Sequence, residues 1–539
     1  MKKSKVLYFN NILILFVISF YACDQSSEKQ RDLQVFRYNE FSTVSSLDPA
    51  FARAQSNIWI CNQLYNGLVQ LDDSLSIKPD LAEKWTVSDD GLLYQFTIRK
   101  NVYFHKDPNF KNDNQTRSVT AADFTYSLKR LKDPKIASPG SWVLQEVDSI
   151  YDRSDTLYIR LKKPFPAFLG LLTMKYCSVV PQEIVEAYGN EFRNHPIGTG
   201  PFKFQVWKEN EKLVLRRNPD YFETDQNGQS LPYLEAISIT FLKDRLSGFM
   251  EFSQGKLDFL SGLDPSYKDE LLHFDGTLNP KYKQQIDMLK GPYLNTEYLG
   301  FYMQGGNELA QSKLLRQAIN YGFDRTKMMT YLRNGIGNPA IYGFIPEGLP
   351  GFSKQSGYDY NPGLARQLLG RYQKETGKPL PEITLMTNSN YLDLCEFIQR
   401  ELEKSGLKVK VDVSPPATLR QAMATGKAPF FRGSWIADYP DAQNYLSLFY
   451  SENFAPGGPN YTHFKSGTFD ALYRRSFLET KDSIRFILYQ KMDSIIVSEA
   501  PVVPLYYDVV TRFVQNNVVG LGTNPINLLN LKRVRKVLR

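Results

Sequence analysis

Cysteine and histidine are both scarce, with four of each in 539 residues. Cys61, Cys177 and Cys395 are far apart and odd in number, so at most one disulfide can form among them. This is no disulfide scaffold, and no CxxC pair suggests zinc. Which of the three pair, if any, stays open. His105, His195, His273 and His463 sit in polar or turn settings, none paired at metal-ligand spacing. There is no HExxH and no GxSxG, so neither a zinc hydrolase nor a serine hydrolase has its signature here. Past the N-terminus no apolar run is long enough to span a membrane, and there is no internal repeat or low-complexity tract. A basic body is missing too. Of the formal charge of +8, Lys2, Lys3 and Lys5 supply three, and Lys532, Arg533, Arg535, Lys536 and Arg539 supply five. Neither end segment holds an acid, so the chain between them is neutral and has no basic face for nucleic acid. The basic C-terminus reads as a solvated tail.

What is present begins with the N-terminus. Lys2, Lys3 and Lys5 precede a largely apolar Val6 to Phe20, and Tyr21-Ala22-Cys23 follows. This three-part secretory signal is too short for a comfortable membrane span. A Cys after a small residue at the cleavage point resembles a bacterial lipoprotein signal, with Phe20 where Leu is usual. Residues 1–22 are then removed and Cys23 is lipidated, leaving 23–32 as a polar tether. Ordinary secretion with a chance cysteine is the alternative. The remaining chain, 42% hydrophobic, can bury a large core without cross-links. Its 33 Tyr and 35 Phe suit that core and also a large, partly wet cleft.

Strands and helices alternate along the chain, which implies an α/β fold in more than one lobe. Leu93 to Ile98 alternates as a strand after the turn Asp89-Asp90-Gly91. Thr120 is a candidate N-cap for a helix carrying Phe124, Leu128 and Leu131. Residues 312–329 and 391–405 have helical periodicity. Gly406 closes the second, and Leu407 to Val413 alternates as a strand. A further helical unit spans 469–498, before an apolar strand at Val502 to Tyr507. Gly198-Thr199-Gly200-Pro201 is a punctuated turn whose glycines permit positive φ. No Lys-Ser/Thr follows it, so a phosphate cradle is disfavoured.

A series of short blocks, in order, resembles a known family. They are Leu47-Asp48-Pro49, Leu81 to Trp85, Ser88 to Gly91, Thr120 to Ser127, Gly198 to Phe202, Arg217 to Phe222, Ala318-Ile319-Asn320 with Asp324-Arg325, and Trp435 to Tyr439. The series is similar to the peptide/nickel-type extracytoplasmic solute-binding proteins of ABC importers, over roughly residues 35 to 535. The resemblance implies a periplasmic-binding-protein-like (type II) clamshell, with two jaws and an inserted extra lobe. Lobe I would comprise 33–65, 196–290 and 508–539, lobe II 66–195, and lobe III 291–507. It further implies a monomeric, non-enzymatic protein without cofactor or metal. Held at the periplasm or cell surface by lipidated Cys23, the protein would bind short peptides between lobes I and III and deliver them to a permease. Alternatives are a nickel or haem chelate, a sugar, a peptide-sensing role, or a secreted hydrolase.

The segment Pro429 to Asp441 reads as a buried strand ending in an acid and a turn. A carboxylate there, Asp438 beside Trp435 and Tyr439, can pair with an α-ammonium where little water competes; the resemblance assigns it that role. Capping the turn is its alternative. A sequence-tolerant peptide binder should satisfy the ligand's backbone by strand pairing. The matching segments are Arg53-Ala54-Gln55 and Ser434-Trp435-Ile436. The resemblance places Arg333 and Arg432 as cations for the ligand carboxylate, each with an ordinary ion pair as its alternative. The sequence departs from the oligopeptide binders at Met423, where they carry Arg, and at Asp393, where they carry His. It also departs at Gly140, where they carry Tyr, and at Arg53, where they carry an acid. Arg53 should disfavour Lys-rich peptides.

Overall fold

In chain order, the strands that build the frame are β1 (Val35–Asn39), β2 (Ala82–Val87), β3 (Leu93–Ile98), β4 (Val147–Arg153), β5 (Thr156–Leu161), β6 (Phe202–Lys208) and β7 (Lys212–Arg217). They continue with β8 (Ala236–Thr240), β9 (Phe259–Ser261), β10 (Ile286–Phe301), β11 (Ile383–Thr387), β12 (Val409–Val413), β13 (Phe430–Ile436) and β14 (Val502–Gln515). The helices used below are α1 (Gln55–Leu64), α2 (Ala121–Leu131), α3 (Lys313–Tyr321), α4 (Arg325–Arg333), α5 (Leu392–Glu403), α6 (Gly467–Leu478) and α7 (Asp482–Glu499). The computed structural model describes residues 34–354 and 357–538; the signal, Cys23 and the tether lie outside the described residues.

Local chemistry sets most boundaries. The Asp123 carboxylate accepts the Thr120 N–H and hydroxyl, both at 2.8 Å, and so fixes the start of α2. β3 buries Tyr94, Phe96 and Ile98 on one face, each such side chain contributing roughly 1.5–3 kcal/mol. Two expected helices are each broken in two. The Asp324 carboxylate accepts the Lys327 N–H and starts α4 afresh after α3. The buried Arg325 then donates to the carbonyls of Pro504 at 2.7 Å and Asn320 at 2.9 Å, tying both helices to β14. Likewise 469–498 is α6 and α7, separated at Glu479–Lys481.

β2, β3, β5 and β4 form a separate antiparallel sheet under α2. The main sheet has eleven strands, ten of them in the order β12-β11-β13-β10-β14-β9-β1-β8-β7-β6. Its middle pair decides the architecture. β10 and β14 run antiparallel, Ile286–Pro292 against Val509–Gln515 and then Thr296–Gly300 against Val502–Tyr507, with a register shift between Pro292 and Thr296. Before the shift β14 neighbours β9; beyond it β10 neighbours β13. The buried apolar side chains divide accordingly: Phe249 to Ile286 cluster on one side, and two clusters built from Leu294 to Tyr506 lie on the other.

Some expectations need correction. Gly198 and Gly200 do not adopt positive φ. They are required because a Cβ on either would fall 2.2–2.4 Å from the backbone of Gln63 and Leu64. The C-terminus is no solvated tail either. Lys532 pairs with Glu223 and Lys536 with Asp258, both at 2.8 Å and largely buried. Cys61, Cys177 and Cys395 are all buried and unpaired.

Candidate functional site

β13 places the residues singled out by the sequence. Phe430 to Gly433 are buried, while Ser434 and Ile436 are exposed and Trp435 is half-buried. One edge of β13 pairs with β10 along its whole length; the other meets β11 only where Phe431 faces Met386. The Ala437 N–H bonds to the Leu294 carbonyl at 2.8 Å. Strand alternation therefore turns the N–H and C=O groups of Ser434 and Ile436 towards the bare edge. In the other half of the molecule Arg53, Ala54 and Gln55 are exposed at the start of α1. Ala54 is extended, and no side chain caps that helix. The Gln55 amide and the Trp59 indole both donate to the Asn527 carbonyl, at 3.4 and 2.8 Å. The Ser434 and Ile436 edge is thus open, whereas at the start of α1 the Arg53 N–H already bonds to the Phe51 carbonyl at 2.7 Å and the Ala54 carbonyl accepts the Ile58 N–H at 2.9 Å.

Asp438 follows β13 directly. It is not the cap of its turn: the Asp441 carboxylate accepts the Gln443 N–H at 2.8 Å instead. Asn444 holds Asp438 in place. Its Oδ1 accepts the Trp435 indole N–H at 2.8 Å and the Asp438 N–H at 3.2 Å, and its amide donates to Asp438 Oδ2 at 3.2 Å. Among the described residues that is the carboxylate's one hydrogen bond, so most of its acceptor capacity is free. The side chain is open to solvent although protein surrounds it on most sides. Burial pushes its carboxyl up, and the Asn444 amide and the Arg53 charge draw it back.

Arg53 and Asp438 are both felt by Tyr176, whose hydroxyl burial pushes up to about 12. Tyr176 lies where a Cβ on Gly140 would stand, 2.4 Å from its ring. The space that a side chain at position 140 would need is thus filled by the buried ring of Tyr176. Sequence reasoning missed Tyr176 and Asn444; the glycine at 140 was the only signal for the first.

The two arginines are already engaged. Arg432 pairs with buried Glu297 and lies 3.1 Å from the centre of the Tyr391 ring. Arg333 makes two bonds to Asp393, at 2.8 and 3.3 Å. The ordinary ion pair weighed for each therefore exists, formed by Glu297 and by the departure at Asp393. Met423 is buried in the core and brings no charge. Trp142, two residues beyond Gly140, is exposed.

With this geometry the comparisons can be read. The family model of bacterial extracellular solute-binding proteins, family 5 (middle region), matches residues 76–456. The chain belongs to that family. As a family 5 member it is an extracytoplasmic solute-binding protein, not an enzyme. It is 25% identical over 533 residues to the dipeptide-binding protein DppE of Bacillus subtilis, covering 93% of this chain and 91% of that one. HbpA2 from Haemophilus parasuis superposes with a TM-score of 0.80 at 22% identity, covering 94% of this chain and 100% of that one. The periplasmic binding protein DppA from Helicobacter pylori, in complex with the peptide STSA, gives 0.76 at 25% identity, over 93% of this chain and 98% of that one. The fold of this family 5 member is accordingly the α/β clamshell with an inserted extra lobe. Among the described residues no helix is long and apolar enough to cross a membrane.

Proposed function

We propose that this family 5 protein captures short peptides, with the peptide amino end on Asp438 and its backbone between Arg53-Ala54-Gln55 and Ser434-Trp435-Ile436. The observation that carries this is Asp438 itself: an accessible carboxylate, steadied by Asn444, at the end of an unpaired strand edge. An extended ligand can add to that edge, its backbone giving affinity and its side chains left to wet pockets. The peptide ligand of the Helicobacter pylori neighbour supports the same class. The jaws would be lobe I (33–65, 196–290, 508–539) and lobe III (291–507), with lobe II (66–195) inserted. In that division the register shift of β10 against β14 is the hinge. The protein would hand its ligand to an ABC permease while tethered to a membrane through lipidated Cys23.

The test compares free and N-acetylated peptides on the wild type and on Asp438→Asn. Leaving one partner of an enclosed charge pair unmatched costs about 2–5 kcal/mol. Free peptides should therefore bind the variant between roughly tenfold and several thousandfold more weakly. Acetylated peptides should bind the wild type poorly and respond little to the substitution. Equal losses for both forms in a normally folded variant would remove Asp438 from the site.

A further inference from the structure

A second recognition point lies where β10 and β14 change register. Asn295 donates its amide to two carboxylates at once, Glu297 at 3.1 Å and Asp508 at 3.2 Å. Glu297 has its cation, Arg432. Among the described residues Asp508 has no ion pair, and its other hydrogen bond is from the Val509 N–H at 2.8 Å. It lines a cavity of about 420 Å³ with Tyr293, Arg333, Tyr391, Tyr506 and Asn527, a size suited to a ligand side chain.

Other charges face the same cavity, and each is matched. Arg333 pairs with Asp393, Arg245 with Asp264 at 3.2 Å, and Lys268 with Asp269 at 2.5 Å. Asp508 is therefore the one charged group of the lining without an ion pair among the described residues; the Arg333 guanidinium, bonded to Asp393, acts on it only at longer range. A second unmet group stands beside it. Asn295 is 4% exposed and its Oδ1 has no donor among the described residues. An enclosed carboxylate and an orphan carbonyl oxygen both call for a donor-rich cation. Burial and the nearby Glu297 charge push the Asp508 carboxyl up to about 6, as suits an anion awaiting its counter-charge.

We propose that Asp508, held from behind by the Asn295 amide, forms a subsite for a positively charged side chain of the bound peptide, a lysine ammonium or an arginine guanidinium. This rests on the peptide-binding function proposed above. It also divides the cleft by charge: Arg53 disfavours a cationic side chain near the ligand's amino end, where Asp438 is reserved for the α-ammonium, and Asp508 attracts one further along.

The experiment uses protein freed of carried ligand by partial denaturation and refolding. Calorimetric titration is made with di-, tri- and tetra-alanine and with their variants carrying lysine, arginine, norleucine or glutamate at each position in turn. Lysine or arginine should exceed norleucine about tenfold or more at one position, with glutamate weakest there. Within Asp508→Asn that ratio should fall below about threefold, and within Asp508→Glu, which keeps the charge, it should persist. Taking ratios inside each protein cancels any general loss of affinity. Equal binding of lysine and norleucine peptides at every position overturns the subsite and leaves peptide capture standing, as does a preference that survives in Asp508→Asn. Failure of every peptide to bind the wild type overturns peptide capture and the subsite together.

Discussion

Charge in the cleft is set one pair at a time. Arg333 holds Asp393 and Arg432 holds Glu297, so a ligand carboxylate would have to compete with a partner already in place for either guanidinium. Amidating the C-terminus of a bound peptide should then change its affinity by less than about threefold. A loss of tenfold or more, about 1.4 kcal/mol, would mean that the ligand carboxylate displaces Asp393 or Glu297. Asp438 could be picked out from sequence because its strand and turn are contiguous with it. Asn444 and Tyr176 could not. Asn444 is one polar residue among many until the chain turns back at Pro440, and Tyr176 reaches Gly140 only because the turns that carry them both pack on α2.

Secondary elements carry a pH dependence of their own. Asp493 on α7 is fully enclosed and accepts the Phe344 N–H at 2.8 Å with no cation beside it. Burial pushes its carboxyl up to about 7, against roughly 4 for an unfolded chain. Between those values the folded state keeps a proton that the unfolded state has released, so this group adds stability as pH falls through about 7. Asp80, raised by burial to about 6, acts in the same direction. His105 opposes them, because burial lowers it to about 4 and the unfolded chain takes up its proton first. Asp493→Asn keeps an acceptor for Phe344 and needs no proton. Urea unfolding should show the variant gaining less stability than the wild type between pH 8 and pH 5.5. Parallel responses of the two proteins would show that Asp493 stays ionised.

For the molecule as a whole, the register shift leaves just two strands continuous between the halves of the main sheet. Beyond the cleft, Phe165 of the inserted region meets Tyr439 with ring centres 6.5 Å apart, one residue from Asp438. Ligand held at Asp438 would stabilise that contact and shut the jaws. Small-angle scattering should give a smaller radius of gyration with saturating peptide, and the melting temperature should climb with peptide concentration. An unchanged envelope would reject closure. Cys23→Ser should move the protein from the membrane fraction to the soluble one; retention after a salt wash would reject the lipid anchor. By itself the sequence determined the α/β class, the family and a few element starts such as Thr120 and Leu93, because capping, periodicity and turn chemistry act within a few residues. Tertiary structure decided which charges are spent and which are free. The partners of Arg432, Arg333, Lys532 and Asp508 come from segments 60 to 309 residues away, and no local pattern encodes a pairing across that distance.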